Sequence, residues 1–199
     1  AISKKGAPIH NCWAFIDGTA RPICRPTQNQ QEYFSGHKRH HCLKYQSVLT
    51  PDGMIVNLRG PYNGRRHDAG MLRDTELYSE LMQIAVHGDK KYIIYGDPAY
   101  PMSELILKPY CNRILTPEQI AFNKAMSSVR QAVEWGFGKV ITDFAFLDFK
   151  KNQKILLQEV SNMYMTGVIL SNCLTCLYGG QTSSYFSTVP PTLEEYLNI

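Results

Sequence analysis

The sequence lacks a hydrophobic stretch long enough to cross a membrane, and it lacks the cysteine pattern of a disulfide-stapled protein. Its longest apolar run, residues 163–170, falls well short of the ~20 residues that a membrane-spanning helix needs. No signal peptide is visible at the start of the chain. The six cysteines are scattered, which favours reduced thiols in an intracellular protein. They are Cys12, Cys24, Cys42, Cys111, Cys173 and Cys176.

A strong net charge is also missing. The formal net charge is +4, a mild basic excess that indicates a polyanionic partner only weakly. What the chain has is a hydrophobic fraction of 44% in 199 residues, enough for one domain with a sizeable core. We predict that this domain spans residues 1–180 and that residues 181–199 form a flexible tail. Because the first residue is Ala1 rather than Met, we expect the sequence to be a fragment of a longer chain.

Three short segments each deliver one acidic side chain. Asp17 follows the apolar run 12–16, and Asp97 comes soon after the run 92–95; both runs are typical of buried strands. Glu134 lies in a segment with helical spacing. Two carboxylates at strand ends and a third on a nearby helix form an oxygen-rich pocket that suits Mg²⁺ or Mn²⁺. We therefore predict that these three acids are catalytic residues and metal ligands for two-metal phosphodiester chemistry, although each alone is more simply explained as a turn or surface residue.

The first half of the chain predicts a strand, a hairpin, a helix and a further strand. The strands are expected at residues 12–16, 43–49, 54–58 and 92–95. The turn Pro51-Asp52-Gly53 joins the two hairpin strands, since proline presets φ and glycine accepts a positive φ. Apolar residues at helical spacing predict a helix over residues 68–86, with Asp68 as its N-cap and a bend near Asp74.

The second half is predicted to be mainly helical. A capping box at Thr116 starts one helix, and Asn123 is expected to cap a longer helix that runs past Glu134 to about residue 141. A last helix is expected over residues 151–178. This order of elements fits an α/β fold of the ribonuclease-H-like type, a mixed sheet flanked by helices as in DDE nucleases and integrases. In that fold the first and fourth strands lie side by side, which would bring Asp17 and Asp97 together.

Six ordered segments resemble the PIF/Harbinger transposases and their domesticated relatives, whose catalytic domain is a DDE nuclease. The resemblance covers residues 15–177, and no single segment is decisive. The segments are residues 15–19 (FIDGT), 33–41 (YFSGHKRHH), 51–53 (PDG), 64–68 (GRRHD), 95–101 (YGDPAYP) and 130–138 (RQAVEWGFG). By this resemblance Asp17, Asp97 and Glu134 take the family's catalytic positions with Mg²⁺ or Mn²⁺. One departure is Pro98-Ala99, where relatives usually have a small polar residue and glycine.

The resemblance also implies partners and a location. DNA is the implied substrate, and a separate Myb-like protein assists DNA binding and nuclear import in this family. We therefore expect DNA, a Myb-like accessory protein and further copies of the chain as partners, and the nucleus as the location. The helix-turn-helix region expected ahead of the nuclease domain is not within these residues, so recognition of terminal repeats is not assigned to them.

Basic residues in the first third of the chain are candidates for phosphate contacts that position a duplex. They are Lys38, Arg39, Lys44, Arg65 and Arg66. A solvated basic edge is the alternative for each of them. The group His37, His40, His41 and Cys42 also suggests zinc, but a second ligand pair at standard spacing is missing, so we favour a basic strand entry.

Two of the acids have competing structural explanations. Asp68 is either a fourth acid near the site or a helix N-cap, and the cap is slightly favoured. Glu134 is spaced i, i+4 from Arg130, so the two side chains are alternatively a surface ion pair.

Three functions follow. The first is a metal-dependent DNA endonuclease and transposase catalytic domain, which hydrolyses phosphodiester bonds at transposon ends and carries out strand transfer. The second is a domesticated, catalytically silent DNA-binding or complex-assembly protein of the same fold. The third and weakest is a metal-dependent nuclease acting on RNA or structured DNA. The three intact acids favour the first.

Overall fold

The computed structural model describes residues 1–199 and contains eight strands and eight α-helices. The strands are β1 (Cys12–Pro22), β2 (Phe34–Ser35), β3 (His40–Leu49), β4 (Ile55–Asn63), β5 (Val86–His87), β6 (Lys90–Lys91), β7 (Ile93–Tyr95) and β8 (Ile106–Leu107). The helices are α1 (Gln30–Tyr33), α2 (Asp68–Arg73), α3 (Leu77–Ile84), α4 (Pro117–Arg130), α5 (Ala132–Asp143), α6 (Val160–Tyr178), α7 (Gln181–Phe186) and α8 (Leu193–Leu197). None of the helices combines the length and hydrophobicity that a membrane span requires.

The main sheet is mixed, and its order is β2-β3-β1-β7-β8, with β4 also paired to β3. Strands β1 and β3 are antiparallel, as are β3 and β4. Strand β7 runs parallel to β1 on the other side, and β8 runs parallel to β7. The predicted mixed sheet is therefore confirmed, including the hairpin and the adjacency of the first strand to β7.

Helices cover both faces of the sheet, which explains the unbroken apolar run at the start of β1. Phe15 packs into a large core with helices α4 to α6, while its neighbours Ala14 and Ile16 pack into a smaller core with α2 and α3. All three side chains are fully buried. A strand buried on both faces needs apolar residues at successive positions, since successive side chains point to opposite faces.

Two strands are longer than the sequence predicts. Strand β1 continues through Asp17 to Pro22, because these residues keep pairing with β3, from Asp17 opposite Ser47 to Pro22 opposite Cys42. Asp17 therefore lies inside a strand, and the prediction that it ends one is wrong. Strand β4 continues across Gly60-Pro61 to Asn63. An edge strand tolerates proline because one side of it needs no hydrogen bond.

The helices differ from prediction at their ends. The predicted bend near Asp74 separates α2 from α3, but the N-cap of α2 is His67, so the assignment of Asp68 as the cap is wrong. The capping box at Thr116 is confirmed. Asn123 lies within α4, where its side chain bonds both the backbone N–H and C=O of Tyr110 at 2.9 Å instead of capping a helix.

Two further helix boundaries depart from the sequence pattern. The long helix predicted through Glu134 is two helices, α4 and α5, which meet at Gln131. Helix α6 begins at Val160 rather than near residue 151, because a 3₁₀ turn, Lys150–Asn152, and an irregular segment occupy the predicted start. Residues 181–199 contain α7 and α8, and Phe186 is buried in the large core. The domain boundary at residue 180 stays a prediction.

Gly64 packs where no larger residue fits, and we expect Gly64→Ala to destabilise the fold. A Cβ atom there would lie 2.1 Å from the backbone oxygen of Tyr33 and 2.9 Å from that of Cys42. Backbone atoms cannot rotate away as a side chain can, so we expect a loss of about 2–4 kcal/mol in the free energy of unfolding. Urea denaturation measures it. Gly36→Ala is the control, since nothing lies within 4 Å of its added Cβ; an equal loss in both variants would contradict this account.

Candidate active site

The sheet topology brings Asp17 and Asp97 to one end of two parallel strands. Phe15 of β1 is in register with Tyr95 of β7, and each acid lies two residues further along its chain. Both carboxylates line a cavity of about 360 Å³, and Glu134 lines it from the first turn of α5. The structure thus gathers the three predicted acids around one cavity. Their catalytic and metal-binding roles stay predictions.

Asp17 is held in a defined orientation by two hydrogen bonds. Its Oδ1 accepts from the backbone N–H of Gly18 at 2.8 Å, and its Oδ2 accepts from Nη1 of Arg130 at 2.8 Å. Burial raises the pKa of Asp17, and the nearby Asp97 adds to this effect, while Arg130 and the Gly18 N–H oppose it. Only 17% of the Asp17 side chain is exposed, so Arg130 is the counter-charge that makes a partly buried carboxylate tolerable.

Arg130 therefore pairs with Asp17 across the fold and not with Glu134, four residues further along the chain. The alternative that it forms a surface ion pair with Glu134 does not hold, because the sole ion pair of Arg130 is with Asp17. Its position at the end of α4 aims the guanidinium at β1, and Gln131 then starts the new helix that carries Glu134. Glu134 is exposed, while its neighbour Val133 is buried in the large core, which fixes the helix against the sheet.

Asp97 is half-buried in the loop after β7. Its Oδ1 accepts a hydrogen bond from the backbone N–H of Ala99 at 3.0 Å. With Pro98-Ala99 in this turn, the carboxylate still lines the cavity. One of the two carboxylate oxygens of Asp97 thus accepts a hydrogen bond from its own loop.

Asp68 is a fourth acid at the same cavity, and the sequence interpretation gave it too little weight. It lies in the first turn of α2, and its Oδ1 is 3.8 Å from Nζ of Lys44. It packs directly on β1, since a Cβ atom on Gly18 would come within 3.1 Å of that oxygen. The signal that pointed to it was its place in the segment 64–68, which the resemblance includes.

Tyr100 is a further neighbour that the sequence did not single out. Its ring is fully buried in the smaller core, and its hydroxyl has no hydrogen-bond partner in the chain. Burial raises the pKa of this phenol, and the charges of Asp68, Asp17 and Asp97 raise it further. Tyr100 is therefore a neutral O–H donor beneath the acids at any physiological pH.

The chemistry of the cavity fits a hard divalent cation, although its ligands are not assembled. Four carboxylates supply the oxygen donors that Mg²⁺ and Mn²⁺ prefer. No group of three carboxylates, histidines or cysteines lies close enough to hold a metal ion in this arrangement. The Arg130 guanidinium is hydrogen-bonded to Oδ2 of Asp17, so its positive charge competes with a cation for that carboxylate.

The raised pKa of Asp68 predicts a pH-dependent effect of Asp68→Asn in metal-free protein. Burial is the main cause of the shift, and Lys44 opposes it. A carboxyl whose folded pKa is raised stabilises the fold fully below its unfolded pKa, and this stability is lost as pH rises through the folded pKa. The neutral variant does not suffer that loss, so its stability relative to wild type should rise with pH. Urea denaturation in EDTA across acidic to neutral pH measures the difference, and a constant or falling difference would contradict it.

The predicted basic residues divide into engaged and available side chains. Lys44 donates to the backbone oxygen of Arg66 at 2.7 Å, and Arg66 pairs with Asp74. The side chains of Lys38, Arg39 and Arg65 are exposed and form no ion pair. Lys38 and Lys44 line the acidic cavity itself.

The histidine and cysteine side chains of the proposed zinc alternative are divided between surface and core. His37 is exposed, whereas Cys42 is fully buried. His41 packs edge-on against Phe34, with ring centroids 5.4 Å apart. These side chains are close together in the sequence, but they do not form a cluster that could hold a metal ion.

The strand order and the flanking helices define a mixed-sheet α/β domain of the ribonuclease-H-like type. Residues 16–172 match the family model described as DDE superfamily endonuclease, so the chain belongs to this family.

A curated relative gives a second comparison. The chain is 31% identical over 121 residues to a Microchaete diplosiphon protein named "Probable transposase for insertion sequence element IS702". The match covers 60% of this chain and 42% of the relative, so the chain spans less than half the length of that protein. No solved structure matches significantly.

Proposed function

We propose that this chain is the catalytic domain of a transposase, a metal-dependent endonuclease that hydrolyses phosphodiester bonds in DNA at transposon ends and carries out strand transfer. The observation that carries the proposal is the convergence of Asp17, Asp97 and Glu134, from three distant segments, on one cavity. Membership of the endonuclease family and the similarity to a named transposase support it.

The three acids would hold Mg²⁺ or Mn²⁺, with two ions as the expected number. When bound, such ions stabilise the charge on the phosphate and lower the pKa of a water. The chain's own contribution is to keep the carboxylates in position. The backbone of β1 fixes Asp17, the Ala99 N–H orients Asp97, and the packing of Val133 fixes the helix that presents Glu134.

Three exposed cations would bind the DNA backbone. Lys38, Arg39 and Arg65 have no internal partner, so they are free to contact phosphates. Lys44 and Arg66 are already engaged within the protein, and we propose that they hold the shape of the site while Lys44 also faces the cavity. Phosphate contacts position a duplex without reading its sequence, which suits a domain that performs the chemistry.

The finer assignment to the PIF/Harbinger group rests on the six ordered segments. With it we propose a Myb-like accessory protein, self-association of the chain and a nuclear site of action. Co-purification of the full-length protein with a Myb-like partner, and its location in cells with and without that partner, test these proposals. If the Myb-like protein neither co-purifies with the chain nor changes its location, the assignment to the PIF/Harbinger group is wrong, but the endonuclease proposal is unaffected.

The ion pair between Arg130 and Asp17 favours a second candidate function. A guanidinium bound to a catalytic carboxylate also suits a domesticated, silent protein that binds DNA or assembles a complex, since it neutralises the acid without a metal. The two candidates differ in one measurement, the nicking of a labelled DNA duplex with Mg²⁺ or Mn²⁺. Metal-dependent nicking supports the endonuclease. DNA binding without nicking, for the full-length chain with its partner, supports the silent protein.

A further inference from the structure

A larger cavity, of about 710 Å³, adjoins the acidic cavity and has a different chemistry. The two cavities share the lining residues Ser35, His37 and Lys44. The larger one is walled by α1, β2, β3 and the turn after β4. Its lining includes no acidic side chain, and only one, Phe34, is a large apolar group. Carboxylates therefore line one compartment, and cationic and neutral polar groups line its neighbour.

The Arg65 side chain of the larger cavity has no partner within the protein, whereas Lys44 there donates to the Arg66 backbone oxygen. The Arg65 guanidinium and the His37 and His67 imidazoles form no hydrogen bond or ion pair in the chain. By contrast, Arg66 beside them pairs with Asp74. A concave site with an unpaired guanidinium attracts an anion, because no carboxylate lies within ion-pair distance of Arg65.

The backbone that carries Arg65 is held in place by hydrogen bonds. The backbone N–H of Arg65 donates to the backbone oxygen of Glu32 at 3.0 Å, which ties the turn after β4 to α1. The carboxylate of Glu32 accepts from Asn63 at 3.2 Å, and Gly64 packs tightly on Tyr33. The guanidinium thus projects from a fixed backbone.

An aromatic surface completes the cavity. Phe34 is 41% exposed, so part of its ring is open to the cavity. The His41 ring packs against its edge. Burial lowers the pKa of His41, and the charges of Arg25, Lys150 and His40 lower it further, so the ring is neutral at neutral pH. Bases stack on such exposed aromatic rings in proteins that bind single-stranded DNA.

We propose that this cavity binds one unpaired nucleotide of the DNA strand, next to the phosphate held at the acidic cavity. Its phosphate lies at Arg65, and its base stacks on Phe34. A volume of about 710 Å³ is in the range of pockets that enclose small organic ligands. A duplex does not enter such a space, so the nucleotide must leave the base stack. The inference rests on the proposed function, because it needs DNA at the acidic cavity.

A metal ion is a poorer occupant. Histidines His37, His41 and His67 line the cavity, but no three metal-binding side chains lie close enough to hold an ion. The unpaired guanidinium of Arg65 also repels a cation. The nucleotide satisfies both the cationic wall and the aromatic surface, which a metal does not.

The test measures DNA binding without cleavage. A fluorescent duplex with a short single-stranded extension, and the same duplex with blunt ends, are titrated with the full chain in Ca²⁺, and anisotropy is followed over a range of salt. The variants are Arg65→Gln and Phe34→Ala. Arg113→Gln is the matched control, since Arg113 is exposed, forms no ion pair and lines neither cavity. Circular dichroism checks that each variant is folded.

Arg65→Gln is expected to reduce the slope of log K against log salt by about one unit, because one phosphate contact is lost. Phe34→Ala should weaken binding of the extended duplex roughly tenfold without changing that slope, and should leave the blunt duplex unaffected. Arg113→Gln should behave as wild type.

The outcomes separate this inference from the proposed function. If the wild type nicks DNA but Arg65→Gln and Phe34→Ala bind both probes as Arg113→Gln does, the nucleotide site is wrong and the endonuclease stands. If the two variants bind as expected but the wild type never nicks DNA, the site stands and the catalytic proposal falls. A wild type that binds neither probe overturns both.

Discussion

Glu134→Gln is expected to reduce metal-dependent nicking of DNA by about 10³-fold or more. The substitution keeps the size of the side chain and removes one negative charge from the cavity that Asp17 and Asp97 also line. Losing one preorganised group that stabilises charge in a transition state commonly costs about 10²–10³ in rate, and losing a metal ligand should cost at least as much. Glu134 is exposed, so the fold should tolerate glutamine.

The measurement is the rate of nicking of a labelled duplex at saturating Mn²⁺ or Mg²⁺, with DNA affinity determined separately in Ca²⁺. Glu194→Gln is the matched control, because Glu194 is an exposed glutamate in α8 that lines neither cavity. It should nick as wild type does. If Glu134→Gln nicks within a few-fold of the wild-type rate, Glu134 is not a catalytic ligand, and Asp68 becomes the third acid to test.

The fold was predictable because its signals are local. The turn Pro51-Asp52-Gly53 specifies a hairpin within four residues, and the capping box at Thr116 specifies a helix start. The apolar runs before Asp17 and Asp97 predict buried strands, and element order then places those strands side by side. Each of these inferences needs only neighbours in the sequence and one topological rule.

The element boundaries were not predictable, because tertiary pairing decides them. Strand β1 continues past Asp17 only because β3 offers partners as far as Cys42. The break between α4 and α5 at Gln131 contains no glycine or proline, so the sequence gives no local sign of it. The break orients Arg130 toward β1 and Glu134 toward the cavity. Lys44, Asp68 and Gly18 meet from three separate elements, so no pattern within a short window reveals the fourth acid.

That Asp17, Asp97 and Glu134 meet at one cavity was predictable from the sequence, but the counter-charge of Asp17 was not. Asp17 and Arg130 are 113 positions apart, and i, i+4 spacing suggested a different partner for the arginine. The contact matters because it gives Arg130 a definite role in metal-free protein. It supplies the positive charge that a cluster of carboxylates otherwise takes from a cation.

Arg130→Met is expected to destabilise metal-free protein and to enlarge the stabilisation by Mg²⁺. Methionine keeps most of the volume but leaves Asp17 without its counter-charge. Breaking a buried ion pair costs about 3–5 kcal/mol, and we expect roughly 2 kcal/mol here because the two side chains keep 24% and 17% of their exposure. For a chain of this size that is a fall of about 4–8 °C in Tm. Mg²⁺ should restore much of it, since the cation no longer competes with the guanidinium for Asp17.

Thermal melts in EDTA and in Mg²⁺ measure both effects. Arg59→Met is the control, because Arg59 pairs with Glu80 at an exposed site where an ion pair contributes at most about 1 kcal/mol. Its Mg²⁺ increment should equal that of wild type, and Asp97→Ala should lose the increment altogether. If Arg130→Met gains no more from Mg²⁺ than Arg59→Met does, Arg130 is no competitor for the cation. If Mg²⁺ stabilises Asp97→Ala as much as wild type, the cation binds elsewhere, and the silent DNA-binding protein becomes the better account of this fold.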